Sequence, residues 1–259
     1  GAVGIAVAPE HGDSAELLLR RADLALAAAR AQDGRCVAYS PECDPYDPGQ
    51  LMLLGELRQA MDGNQLRLHY QPKVDLKKRS VVGAEALLRW HHPRRGMVPP
   101  DRFIPLAEQG GLIKPLTRWV LGEAVGQCHA WAKEGRELAV AVNLSARDLN
   151  DPKLVDQVGD VLAAKGVASK QLGLELTEST VMSDPVRAAD TLRRIDDSGV
   201  RISIDDFGTG YSSLAYLRRL PFSEIQIDRS FGKGMAEDGE DAATVRSTSE
   251  LGHNLGLRH

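Results

Sequence analysis

The sequence predicts an α/β fold with a parallel sheet or barrel at its centre, and three observations carry that expectation. From about residue 138 onward, short apolar strands alternate with amphipathic helices: LAVAVNLS, DPKLVDQVGDVLAAKG, LGLELTE, PVRAADTLRRIDDSG, RISIDDFG, SLAYLRRL, EIQID and ATVRSTSELGHNLG. Such alternation is the pattern of βα units. Polar side chains recur at corresponding places: Asn143, Glu175 and Asp205 fall at or near strand C-terminal ends, 32 and 30 residues apart. Finally, 259 residues are enough for one α/β barrel, which runs to about 250.

In chain order, GAVGIAVAP reads as a strand and PEHGDS as a turn. AELLLRRADLALAAARAQ follows as a helix with Leu17, Leu18, Ala22, Ala25 and Leu26 on one face. Gly34 stops it, CVAYS is a second short strand, and PECDPYDPGQ, rich in Pro and Asp, is a linker. A domain boundary is therefore expected over residues 43–50, with residues 1–42 before it. Forty residues cannot bury a core alone and are expected to be the tail of a neighbouring domain. Leu51 to Met61 is helical, and LRLHYQPKVDL and VVGAEALLRW are strands joined by the turn KKRS. HHPRRGMVPP is expected to be a proline-rich loop, with His91 and His92 solvated. The helices DRFIPLAEQG and PLTRWVLGEAVGQCHAWAKEG follow, the second ended by Gly135. Six barrel strands result. Because the chain opens inside a strand-like run and stops without a closing element, it reads as a C-terminally truncated piece of a longer protein.

A net charge of −4 gives no field for a nucleic acid polymer, although a small phosphorylated ligand stays open. Three cysteines, Cys36, Cys43 and Cys128, are odd in number and lack metal-ligand spacing. That argues for reduced thiols and a cytoplasmic protein. No run of about 18 apolar residues and no basic-then-apolar N-terminus is present, so neither a membrane segment nor a signal peptide is expected.

The chemistry concentrates in RISIDDFGTGYSS, Arg201 to Ser213. A β-favouring run ends in two adjacent carboxylates, Asp205 and Asp206, and a glycine loop follows. Catalytic groups of a (β/α)₈ barrel gather at the C-terminal ends of its strands. Glu85, Asn143, Glu175, Asp205 and Asp228 could thus converge on one mouth, where a cation would relieve their mutual repulsion. Carboxylates plus a carboxamide, without His or Cys, suit Mg²⁺ or Mn²⁺. Adjacent Asp205 and Asp206 could serve two ions, the usual clamp for displacement at phosphorus. Asp228 could equally cap the next helix.

Five ordered motifs now stand out: EALLRW at Glu85, NLS at Asn143, ELTES at Glu175, DDFGTGYSS at Asp205 and IDRSF at Ile227. Together they resemble the motifs of EAL-domain proteins, bacterial phosphodiesterases for cyclic di-GMP, over Leu51 to the end. The resemblance implies a modified TIM barrel and a site with two Mg²⁺ or Mn²⁺ that opens cyclic di-GMP to linear pGpG. It assigns Glu85, Asn143, Glu175 and Asp205 to the first metal, with Asp205 bridging to a second metal held also by Asp206. Gln71 and Arg89 match substrate-contacting positions. Glu178 and the loop Phe207, Gly208, Thr209, Gly210, Tyr211 and Ser212 match a segment that orders the metal site and couples it to a homodimer. GIAVAPEHGDSAELLLRRADLALAAAR and VAYSPE similarly resemble the end of a GGDEF diguanylate cyclase domain, with Ala27 and Arg30 where that family has Tyr and Lys.

Two departures follow from the resemblance. Gln226 stands where the EAL family places a catalytic Lys, which implies a large loss of rate, since general acid or base help is worth roughly 10² to 10⁴. The family's next strand, VAEGVE, would begin where the chain ends, so the last two barrel strands are expected to be absent. The alternative to an impaired enzyme is a catalytically degenerate module that binds cyclic di-GMP and signals through the loop after Asp206.

Overall fold

The structure, a computed structural model, describes residues 1–31, 36–41, 48–207, 220–227 and 239–254. These fall into two compact units, residues 1–63 with 101–112 and residues 64–100 with 113–259. The first holds a βαβ element: β1 (Val3–Ile5), α1 (Ala15–Ala31) and β2 (Cys36–Ala38), the strands being parallel. Gly4 lets helix and strand touch, because a Cβ there would lie 2.2 Å from the Ala22 carbonyl oxygen. Helices α2 (Pro48–Asp62) and α3 (Pro100–Gln109) follow, with Leu57, Ala60, Phe103 and Ala107 fully buried.

The second unit is a mixed sheet flanked by helices. Its strands are β3 (Leu66–Asp75), β4 (Ser80–His92), β5 (Gly96–Val98), β6 (Ala139–Asn143), β7 (Leu172–Thr177), β8 (Arg201–Phe207) and β9 (Glu224–Ile227). The order is β3-β4-β6-β7-β8-β9, with β5 paired to β4. The six expected strands are thus present, and the α/β class holds. The β3–β4 pair is antiparallel, since the short KKRS turn leaves no room for a crossover. From β4 onward every step along that path is parallel. The connections carry α4 (Ile113–Lys133), α5 (Ala146–Leu149), α6 (Leu154–Lys165), α7 (Glu178–Met182) and α8 (Pro185–Asp197), and α9 (Gly239–Asn254) follows β9.

Local sequence explains these boundaries. Gly135 and Gly166 adopt φ of 76° and 64° just beyond α4 and α6, the left-handed conformation that ends helices without a Cβ penalty. Asp184 caps α8 by accepting from the Arg187 amide, with Pro185 at the first turn. The residues of HHPRRGMVPP form a hairpin rather than the expected loop. His91 and His92 belong to β4 and pair with Met97 and Gly96 of β5. His92 is buried, not solvated, because its Nδ1 accepts from the amides of Arg94 and Arg95 at 3.1 Å each and so makes the turn. Two short helices, α5 and α7, were also not expected. Each begins at a side-chain cap, Ser145 with Asp148 in a reciprocal box and Thr177 with the Thr180 amide.

One face of the sheet is apolar. Ala86, Val140, Val142, Leu172, Leu174, Leu176, Ile202, Ile204 and Ile225 are buried in one core with residues of α4, α6 and α8. Leu172, Leu174 and Leu176 alternate with Gly173, Glu175 and Thr177, so period-2 geometry forces the latter three onto the opposite face. Cys128, on α4, lies in the core, and burial pushes its thiol up to about 11. No disulfide forms among the described residues, Cys36 and Cys128 both being free. No described helix is long and apolar enough to cross a membrane. Leu174 is 0 % exposed at the middle of β7. Leu174→Ala is therefore expected to cost about 2–5 kcal/mol, read as a lower urea midpoint at unchanged slope.

Candidate active site

Strand register decides which side chains can meet. Gln71 pairs with Glu85, Glu85 with Ala141, and Asn143 with Glu175. Glu175 in turn pairs with Ser203, Thr177 with Asp205, and Ser203 with Glu224. Paired residues share a face, as do residues two apart on a strand. Gln71, Lys73, Glu85, Arg89, Asn143, Glu175, Ser203, Asp205, Glu224 and Gln226 therefore all lie on the face opposite the apolar core. The sheet curls around this face. Lys73 of β3 reaches Glu224 of β9 at 3.3 Å, so the two end strands of the path approach across it.

Glu175 is the centre of the arrangement. It is 0 % exposed and its Oε1 accepts from Lys73 Nζ at 2.5 Å and from Gln226 Nε2. Its Oε2 is buried without a hydrogen-bond partner. Burial pushes the Glu175 carboxyl up, the Lys73 charge pulls it down and the Glu85 carboxylate raises it again, the balance lying above the ordinary carboxylate value. For Lys73 burial works downward, but Glu175 and Glu224 outweigh it and hold the ammonium charged. Nearby, Asn143 donates its Nδ2 to Glu85 Oε1 at 2.9 Å. Arg89 donates to the Leu88 carbonyl at 2.9 Å.

At the end of β8 the backbone is displaced. Ile204 pairs with Ile225, but Phe207 pairs with Ile227, so β8 carries one extra residue, a β-bulge. Asp206 lies in it with φ of 52°, and its amide donates to Asp205 Oδ1 at 2.9 Å. Both carboxylates are half-buried and Phe207 is buried. Glu178 is buried at the start of α7.

Of the side chains expected at the site, Glu85 and Asn143 are in direct contact, as are Glu175 and Gln226, while Gln71, Arg89 and Asp205 share the face. Gly208, Thr209, Gly210, Tyr211, Ser212 and Asp228 lie outside the described residues, as does the expected helix SLAYLRRL apart from its last residue, Leu220. Among the described residues, no three His, Cys, Asp or Glu side chains gather closely enough to hold a metal ion by themselves. Two participants were missed from sequence, Lys73 and Glu224. Each lies two residues from an expected site residue, Gln71 and Gln226, so strand alternation could have found both.

The EAL-domain family model matches residues 54–259. The chain belongs to the EAL-domain family. Over 259 residues it is 44 % identical to the bifunctional diguanylate cyclase/cyclic di-GMP phosphodiesterase MucR of Pseudomonas aeruginosa, covering 99 % of this chain and 38 % of MucR. With the cyclic di-GMP phosphodiesterase PdeR of Escherichia coli it shares 37 % identity over 257 residues, 99 % of this chain and 39 % of PdeR. It thus spans well under half of these relatives. Among solved structures, the PaMucR phosphodiesterase in complex with c-di-GMP superposes with a TM-score of 0.76 at 48 % identity, covering 80 % of this chain and 84 % of that one. The EAL enzyme Bd1971, bound to cAMP and cyclic di-GMP, gives 0.76 at 30 % identity, covering 96 % and 66 %. These likenesses agree with the α/β, TIM-barrel-like fold of this EAL domain.

Because Glu175 is wholly buried beside Lys73, Lys73→Met leaves its charge uncompensated. Glu175's folded pKa, already raised, then rises further, so the stability this group contributes is present below its unfolded value and lost as pH climbs through the folded one. Urea denaturation of Lys73→Met should show a deficit of about 1–3 kcal/mol at pH 7.5 that shrinks at pH 4.5.

Proposed function

We propose that this EAL domain binds cyclic di-GMP and hydrolyses it to linear pGpG at the polar face of the sheet, with a rate lowered by Gln226. The observation that carries this reading is the register that sets Glu85, Asn143, Glu175 and Asp205 on one face of an EAL domain. The names of relatives support it, since MucR and PdeR are cyclic di-GMP phosphodiesterases and the PaMucR phosphodiesterase is a c-di-GMP complex.

The donor set is carboxylate and carboxamide oxygen, and the buried Glu175 Oε2 has no hydrogen-bond partner. Both features fit a hard divalent cation. Glu85, Asn143, Glu175 and Asp205 would hold a first Mg²⁺ or Mn²⁺, and Asp205 with Asp206 a second. When bound, the ions would neutralise phosphate charge and make water a better nucleophile. This chain's own residues supply the rest. Arg89 offers a planar cation to a phosphate oxygen, and Gln71, directly opposite Glu85, borders the ligand. Gln226 orients Glu175 through its amide but cannot bring positive charge to the reacting phosphate. Phe207 to Ser212, with Glu178, would tie the site to a homodimer surface.

For the chain as a whole we infer a remnant of a GGDEF domain over 1–42, a linker over 43–50 and the EAL domain from 51. A second reading, a binding module without turnover, is favoured by one observation, the neutral Gln226 at Glu175. Incubating the chain with cyclic di-GMP and Mn²⁺ and separating the products by chromatography tests both. Slow pGpG formation is expected, abolished by Asp205→Ala and raised roughly 10²- to 10⁴-fold by Gln226→Lys. Binding by calorimetry without turnover in either wild type or Gln226→Lys would select the second reading, and absence of both would sink the two together.

A further inference from the structure

We propose that Lys73 is a built-in counter-ion of Glu175 that a divalent cation must displace, so that the chain carries its own competitor for that carboxylate. The inference rests on the reading of Glu175 as a metal ligand. A fully buried carboxylate needs a cation close by, and Lys73 supplies one in bonding contact, 2.5 Å from Glu175 Oε1. The Gln226 amide donates to the same oxygen, whereas Oε2 has no hydrogen-bond partner. One half of the carboxylate is thus taken by protein donors, and the other half is bare.

A divalent ion seated on Oε2 would lie within a few ångströms of the ammonium, and like charges at that range repel strongly at protein dielectric. Gln226, being neutral, can stay. Lys73 cannot keep its bond to Glu175 without cost, and it has a second carboxylate partner that it can retain. Glu224 Oε1, on β9 at the other end of the sheet path, already accepts from the same Nζ at 3.3 Å, and a lysine's flexible four-carbon stem lets the ammonium lean toward it. Lys73 therefore bridges both carboxylates and would keep only its Glu224 partner when the ion arrives. Its charge-assisted bond to Glu175 must be broken for the ion to bind, which lowers metal affinity by about tenfold.

The test is Mn²⁺ calorimetry on the whole chain. Lys73→Met should tighten Mn²⁺ binding about tenfold, and Lys73→Gln, a polar replacement that guards against misfolding of the first, should move it the same way; thermal melts check that both fold. In lysine side-chain ¹⁵N spectra, the Nζ signal lost in Lys73→Met should shift as wild type is saturated with Mg²⁺. Unchanged or weaker Mn²⁺ affinity in both variants, or an Nζ signal that does not move, overturns the proposal. Glu175→Gln separates the two levels of inference. If it weakens Mn²⁺ binding while the lysine variants do not tighten it, displacement alone fails. If it leaves Mn²⁺ binding unchanged, Glu175 is not a ligand, and the metal reading falls along with displacement.

Discussion

A single carboxylate oxygen holds the polar face together. Glu175 Oε1 accepts from Lys73 on β3 and from Gln226 on β9, so one atom links three strands that are not all sheet neighbours. The geometry depends on burial: with Glu175 closed off from water, its donors have no solvent competitor, and hydrogen bonds in such surroundings are stronger than at a surface. The same closure makes the charge expensive. The curl that brings β3 to β9 is thereby coupled to the protonation and partnering of one side chain.

Several positions beside these side chains on the polar face are small. Ala141 and Gly173 follow Glu85 in register, and Ser203 follows Glu175. A Cβ on Gly173 would make only ordinary contact with Ala141, 3.6 Å from its Cβ, so the position is open rather than sterically blocked. Large apolar side chains are confined to the other face, where Leu174, Val142 and Ile202 are fully buried. The sheet therefore divides its labour by parity, with cohesion on one face and chemistry on the other.

Much of this was legible from the chain. Alternation in LGLELTE and RISIDDFG gives both strand identity and facing, and the spacing of Asn143, Glu175 and Asp205 gives the parallel repeat. What escaped was set by tertiary partners. HHPRRGMVPP looks like a loop because His, Pro and Arg dominate it, yet His92 is buried as the acceptor that makes a turn. Strand alternation places Lys73 on the same face as Gln71, but no local signal announces that its partner is Glu175, 102 residues away. The capping pairs at Ser145 and Thr177 were readable in principle, but four- and five-residue helices produce no periodicity to search for.

The bulge at the end of β8 bears on how its two carboxylates can be dissected. Asp206 holds a left-handed backbone that asparagine and aspartate adopt more readily than alanine or any β-branched residue. An alanine there would remove charge and strain the main chain together, whereas an asparagine would keep the local shape and delete the charge alone. Asp205, on the ordinary strand side of the bulge, imposes no such restriction. The pair is thus chemically alike and genetically unequal, so a scan that treats them identically would overstate the importance of the second.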